Sequence, residues 1–217
     1  MSVRLMRHHI FDALREDIMS CGLLPGAEVR ESALAEKYGV SKSPIRDALQ
    51  KLEWEGLVEI APRQGHRVAP ISIQDAQDIL DFREILEVSA VRRICADASA
   101  EALAALDAYR TCDSDNLRDY AVYNRAFHVC ISTLAGNRRQ TATVIGLMEN
   151  YERLCIVSLS SRRDEAAAMS ASLTEHVRII DALQARDART ATRLSISHIR
   201  KSQAQVMRGL RNQPVVP

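Results

Sequence analysis

Residues 32–56 read SALAEKYGVSKSPIRDALQKLEWEG, and the spacing of apolar residues in that run decides the fold of the first third of the chain. A short helix opens near Ser32 and stops at Gly39, the residue type best suited to end one. Val40 is a brief connector. Ser41 is placed to cap a second helix, with Pro44 in its first turn, where a missing N–H removes no intrahelical bond. Ile45, Leu49 and Leu52 are spaced four and three apart, so they share the buried face of that helix, which Gly56 ends.

Working outward, Ile10, Phe11, Leu14 and Ile18 recur at helical spacing, and the chain turns at Cys21–Gly22 and Pro25–Gly26. After Gly56 the period changes. Residues 57–61 (LVEIA) read as a strand, 62–65 (PRQG) as a turn and 66–69 (HRVA) as the returning strand. Three helices followed by a small hairpin is the layout of a winged helix-turn-helix. Pro70 marks a linker, so the predicted domains are residues 1–70 and 71–217.

Beyond Ile73 no strand signal appears. Ile79, Leu80, Phe82, Ile85, Leu86, Val88 and Val91 keep helical period to about Ala98. Helical patterns resume near 101–110, 116–135, 139–161, 164–185 and 188–210. The expected fold is therefore mainly α: a winged head joined to an all-α bundle of about six helices.

Composition narrows the classes. Of 217 residues 47% are hydrophobic but only 4% aromatic, which suits an aliphatic core of helices. A net charge of +1 excludes a polybasic nucleic-acid coat and an acidic tail, so any DNA affinity must come from local charge placement. The five cysteines are scattered and never spaced as C-x-x-C, which argues against a disulfide framework or zinc knuckle. With no apolar run of signal-peptide or membrane-span length, the expectation is a cytoplasmic protein with no membrane partner.

In a helix-turn-helix the first residues of the second helix lie nearest the bases. Here these are Ser41, Lys42, Ser43 and Arg46. From Ser41 to Lys51 three cations stand against one anion. Lys and Arg can donate to guanine edges or phosphates, and the hydroxyls to either. Arg63, His66 and Arg67 surround Gly65 at the wing.

The stretches LPGAE (24–28), LAEKYGVS (34–41), SPIRDAL (43–49) and LEWEGLV (52–58) occur in order at fixed separations. Residues 8–69 thereby closely resemble the winged helix of the GntR family of bacterial repressors and activators. The resemblance implies double-stranded operator DNA as the partner. It puts Ser41, Lys42, Ser43 and Arg46 at DNA-contacting positions, with Gly65 and His66 at the wing tip. Two positions depart from many relatives: Lys42 and Ser32 stand where those carry Arg.

In the second half, His128, His176 and His198 fall on three predicted helices. Asn124 precedes His128 by four residues, so the two project from one helix face, about 40° apart. Spacing leaves two readings open: one centre of three imidazoles and an oxygen donor, suited to zinc or nickel, or three separate hydrogen-bonded histidines.

Residues 73–210 look like the FCD ligand-binding domain that defines the FadR-like branch of the GntR family. That resemblance implies a metal held by Asn124, His128, His176 and His198, with Asn124 in place of the usual Asp. It also implies a small organic acid whose carboxylate lies near the metal. Arg83 matches a recurrent arginine and is the first candidate for a second carboxylate contact; an ion pair with Glu87, one turn on, is the competing role. Arg125 and Arg153 are further candidates, whereas Tyr123, Tyr151 and the cysteines read as packing. Cys130, two residues past His128, should face away from it.

The implied function is a homodimeric regulator, a repressor by default, whose operator affinity a small acid controls. The alternatives are a metal-responsive repressor, with the ion itself as signal, and a tri-histidine metalloenzyme. No base is evident in sequence beside the three histidines, so the chain reads as no enzyme.

Overall fold

The structure is a computed structural model that describes residues 3–61, 65–112, 116–160 and 164–210. It divides into two compact units, one ending at Ile71 and the other beginning at Ser72.

The first unit contains α1 (Val3–Met19), β1 (Glu28–Val29), α2 (Glu31–Tyr38), α3 (Lys42–Trp54), β2 (Val58–Ala61) and β3 (Gly65–Val68). The strands form one antiparallel sheet in the order β1-β3-β2, with Glu59 opposite Arg67 and Val29 opposite His66. The hairpin is therefore as expected, and β1 is an addition: two residues are too short to leave a period in sequence.

Ile45, Leu49 and Leu52 of α3 pack with Ile10, Leu14 and Ile18 of α1, all at most 2% exposed. Burying each such side chain stabilises the unit by about 1.5–3 kcal/mol. Gly39 ends α2 in the left-handed region at φ 64°, as expected. Helix α2 opens near Ser32, as expected: Arg30 occupies the N-cap and Ser32 is the second helical residue.

The second unit contains α4 (Ile73–Asp97), α5 (Ala100–Ala104), a 3₁₀ segment (Ala105–Tyr109), α6 (Leu117–Leu134), α7 (Arg138–Leu159), α8 (Glu165–Gln184) and α9 (Ala188–Leu210). Ser72, Ser99, Asn116 and Asn137 each accept a hydrogen bond from the backbone N–H three residues on, fixing the starts of α4 to α7. The helix expected over 101–110 is shorter than its pattern and tightens into the 3₁₀ turn.

Helix α9 packs on α4, α7 and α8, and α6 packs on α7 and α4. Ile94, Leu106, Phe127, Ile131, Ile180 and Leu183 fill the core at one end of this bundle. At Gly209 the backbones of α9 and α7 meet so closely that a Cβ would lie 2.5 Å from the Ser158 carbonyl oxygen. Among the described residues no helix is long and apolar enough to cross a membrane.

Candidate functional site

In the first unit, α3 buries Pro44, Ile45, Ala48, Leu49 and Leu52 and leaves Ser41, Lys42, Ser43 and Arg46 exposed. Ser41 takes the N-cap with extended geometry (φ −71°, ψ 166°), yet its hydroxyl makes no capping bond. Pro44 accounts for this. It occupies the third helical position, where a cap would find one of its usual N–H partners, and proline has none. The hydroxyl is left for an external partner such as a phosphate oxygen.

Arg46 Nε donates to Glu31 Oε2 at 2.8 Å while its side chain stays 65% exposed. A pair so exposed contributes ~0–1 kcal/mol, little resistance to exchanging the carboxylate for a phosphate. At the wing, Gly65 is exposed with φ 93° and His66 is half-buried within β3. Arg67 is paired with Glu59. Arg63 lies outside the described residues.

In the second unit, His128 of α6, His176 of α8 and His198 of α9 come together, each at most 3% exposed. One nitrogen from each lies within 4.8 Å of the others. His176 Nε2 is 3.2 Å and His128 Nε2 3.4 Å from His198 Nε2.

Each ring is held by its other nitrogen. His128 Nδ1–H donates to Glu87 Oε2 (2.7 Å) and His198 Nδ1–H to Glu175 Oε2 (2.9 Å). His176 Nδ1–H donates to the Tyr123 hydroxyl (3.1 Å), which in turn donates to the Tyr109 carbonyl (2.8 Å). Phe127 stacks on the His176 ring at 4.1 Å between centroids. With all three protons on Nδ1, three Nε2 lone pairs converge on one point. Such oxygen partners are what orient metal-binding imidazoles.

Those lone pairs repel one another unless a cation lies among them. Nitrogens bound tetrahedrally at ~2.0–2.1 Å lie roughly 3.3 Å apart, and the 3.2 and 3.4 Å from His198 Nε2 to the other two rings match that spacing for a divalent transition metal. Asn124, one turn before His128 on α6, is 3% exposed. Its amide oxygen would add a neutral donor.

Arg83 is buried on α4. Its Nε donates to Glu87 Oε1 (2.5 Å), one Nη donates to His128 Nε2 (2.7 Å), and the other has no partner. The guanidinium lies over the Tyr151 ring at 4.3 Å. The ion pair weighed in sequence is thus formed, together with a bond to an imidazole that sequence did not suggest.

Charge follows geometry. Burial pushes the Glu87 carboxyl up, but the Arg83 guanidinium and the His128 N–H outweigh it and hold it down to about 2. Burial, reinforced by Arg83, lowers His128 to about 3, and burial, reinforced by the neighbouring His198 and His128, holds His176 well below the usual imidazole range. Glu175 is lowered to about 2, first by its bond to His198 and then by Lys201.

Glu87, Glu175 and Tyr123 are the residues of the candidate site, each hydrogen-bonded to one of the histidines, that sequence reasoning missed. In sequence Tyr123 reads as packing, and no base is evident beside the histidines. Two carboxylates do stand there, but each already accepts a hydrogen bond from an imidazole N–H. The only sequence signals were Glu175 beside His176 and Glu87 one turn from Arg83.

A cavity of about 290 Å³ adjoins the cluster, lined among others by Tyr151, Cys155, Ser172, His198, Lys201 and Ser202. Tyr151 and Cys155 therefore face a cavity rather than serving only as packing, and the Tyr151 hydroxyl is hydrogen-bonded to Ser202. Neither Arg125 nor Arg153 lines it; Arg125 pairs with Glu152 at 3.1 Å. Cys130 is half-buried against the apolar core.

The gntR family of bacterial regulatory proteins matches residues 6–68, and the FCD domain matches residues 78–201. The HTH-type transcriptional repressor RspR of Escherichia coli is 24% identical over 201 residues, covering 90% of this chain and 86% of that protein. An HTH-type regulator from an unstable DNA locus of Streptomyces ambofaciens is 30% identical, covering 91% and 83%. The structure of E. coli McbR/YncC superposes with a TM-score of 0.72 at 19% identity, covering 96% of this chain and 99% of that one. Both of these sequence relatives are named as HTH-type transcriptional regulators. The chain belongs to the GntR family of DNA-binding transcription regulators, with an N-terminal helix-turn-helix and a C-terminal FCD domain.

Proposed function

We infer that this regulator is a homodimeric repressor released from its operator by a small carboxylic acid bound at a metal centre in the FCD domain. The observation that carries the reading is the convergence of three oriented Nε2 lone pairs beside a small cavity. His128, His176 and His198 would hold zinc or nickel, with Asn124 as an oxygen donor. When bound, the ion supplies a Lewis-acid position for a carboxylate oxygen. Tyr123, Glu87 and Glu175 keep the imidazoles in the ligating tautomer.

Ser41, Lys42, Ser43 and Arg46 enter the major groove, while Gly65, His66 and Arg63 meet the backbone at the wing. A symmetric pair would place two such helices on half-sites one helical turn, or a multiple, apart. Repression is supported by the names of relatives, RspR among them and GlaR of E. coli at 27% identity. The acid must bind one arrangement of the heads more tightly than the other, and a coupling of about 1–3 kcal/mol changes operator affinity 5- to 150-fold.

Operator release is titrated with zinc alone, with a panel of carboxylic acids alone, and with both. Release by acid only when metal is present supports the reading. A full response to zinc alone makes the ion the signal. Arg46→Ala should weaken operator binding by about 1–3 kcal/mol, and unchanged affinity would remove α3 from the groove.

A further inference from the structure

Arg83, Glu87 and His128 form a closed ring of hydrogen bonds. Arg83 donates to one oxygen of Glu87, His128 Nδ1–H donates to the other, and an Arg83 Nη donates to His128 Nε2. That last bond uses the same lone pair that His128 would offer to a metal. A cation bound ~2.0–2.1 Å from Nε2 and a guanidinium nitrogen 2.7 Å from it cannot share one lone pair, and both are positive. The guanidinium and the metal therefore exclude one another at His128.

The surroundings define where a displaced Arg83 can go and what it meets. Its guanidinium already lies over Tyr151, and Tyr151 lines the cavity that also reaches His198. One Nη is buried without any partner. Beside the histidines Arg83 is paired with Glu87 and Lys201 with Glu175 at 2.5 Å, Asn124 is uncharged, and Asp164 is a further acidic residue lining the cavity. A divalent ion on neutral imidazoles adds two positive charges beside the Arg83 guanidinium. The ion and a guanidinium that has left its imidazole are two cationic points, each suited to a carboxylate.

We propose that Arg83 is a resident counter-cation which a divalent metal must displace from His128, and that the freed guanidinium receives one carboxylate of a dicarboxylic acid whose other carboxylate lies at the metal. The inference rests on the metal-centred reading above and deepens it. Metal and diacid then strengthen each other's binding, because each stabilises the arrangement in which Arg83 has left His128. A cavity of about 290 Å³ restricts the acid to a small one.

Zinc affinity is measured by chelator competition for the full-length wild type and Arg83→Gln, each without acid, with acetate and with succinate. In the wild type succinate should tighten zinc binding by a factor of about 5 to 150, and acetate by less. Arg83→Gln should bind zinc more tightly than the wild type without acid and gain nothing further from succinate. Equal zinc affinity in the two proteins, or equal enhancement by succinate, overturns the inference and leaves the metal centre standing. No zinc binding by either protein removes the metal centre and the inference with it.

Histidine ¹⁵N spectra of the wild type test the displacement without any variant. Zinc should move the Nε2 resonances of all three histidines. Movement of His176 and His198 with His128 unchanged shows that Arg83 stays in place, and overturns the inference.

Discussion

Replacing Glu87 by Gln keeps the shape of the side chain and removes the charge that two buried partners share. Glu87 is 2% exposed and accepts from Arg83 and His128 at once. The gap between its carboxyl at about 2 and the ordinary 4.5 corresponds to about 3 kcal/mol at neutral pH, at about 1.4 kcal/mol per tenfold. Breaking a buried ion pair by removing one partner costs a similar ~3–5 kcal/mol. An amide can serve only one of the two bonds. Its oxygen can face Arg83 while its NH₂ meets the His128 N–H, or the reverse, and either way two donors collide.

For a chain of this size, about 2–4 °C per kcal/mol translates 3 kcal/mol into a fall of about 6–12 °C. Differential scanning calorimetry of chelator-treated protein at pH 7 measures it. Because the carboxyl is depressed in the folded state, its contribution is present above about pH 4.5 and is lost as pH falls toward 2. The wild type should lose that increment of stability across this window, whereas Glu87→Gln should not. A variant melting within 2 °C of the wild type, or the two losing stability in parallel below pH 4.5, would refute the assigned role of Glu87.

Three further outcomes are expected. His128 and His176 are buried with lowered proton affinity, so the metal-free protein should lose stability as pH falls below about 6.5, by about 1.4 kcal/mol per pH unit for each ring; urea titrations at pH 7.5 and 5 read this, and a flat profile contradicts it. Ser41→Ala should leave the melting of the first unit nearly unchanged, since its hydroxyl makes no cap, instead of costing the usual ~0.5–2 kcal/mol, while operator affinity measured by fluorescence anisotropy falls. Gly209→Ala should destabilise the second unit, because a methyl 2.5 Å from the Ser158 carbonyl forces the two helices apart at about 1–3 kcal/mol, more than the ~1 kcal/mol gained in helix propensity; a higher melting temperature would disprove that close contact.

Most of the fold was legible because helical period is a local signal, and α3, α4, α6 and α9 each repeat their apolar positions over several turns. The two-residue β1 carries no period and appears only through its pairing with β3. The N-cap of α2 is Arg30, which adopts extended geometry without a side-chain capping bond, so residue type gives no signal of it. At the site, the three histidines were visible as residues, while their convergence is a property of how α6, α8 and α9 pack. Glu87 and Tyr123 were invisible as orienting groups because their partners lie 41 and 53 residues away. Arg83 carried a local explanation, the pair with Glu87, which concealed its second bond across 45 residues to His128.

Helix α4 runs unbroken from Ile73 to Asp97, and its N-cap, Ser72, is the first residue of the second unit. Arg83 stands eleven residues from Ser72, about 16 Å along the axis at 1.5 Å per residue. The helix that carries Arg83 and Glu87 is therefore also the element with which the second unit begins. A roll or slide of that rod at Arg83 would be carried, within one unbroken helix, to its capped start at Ser72.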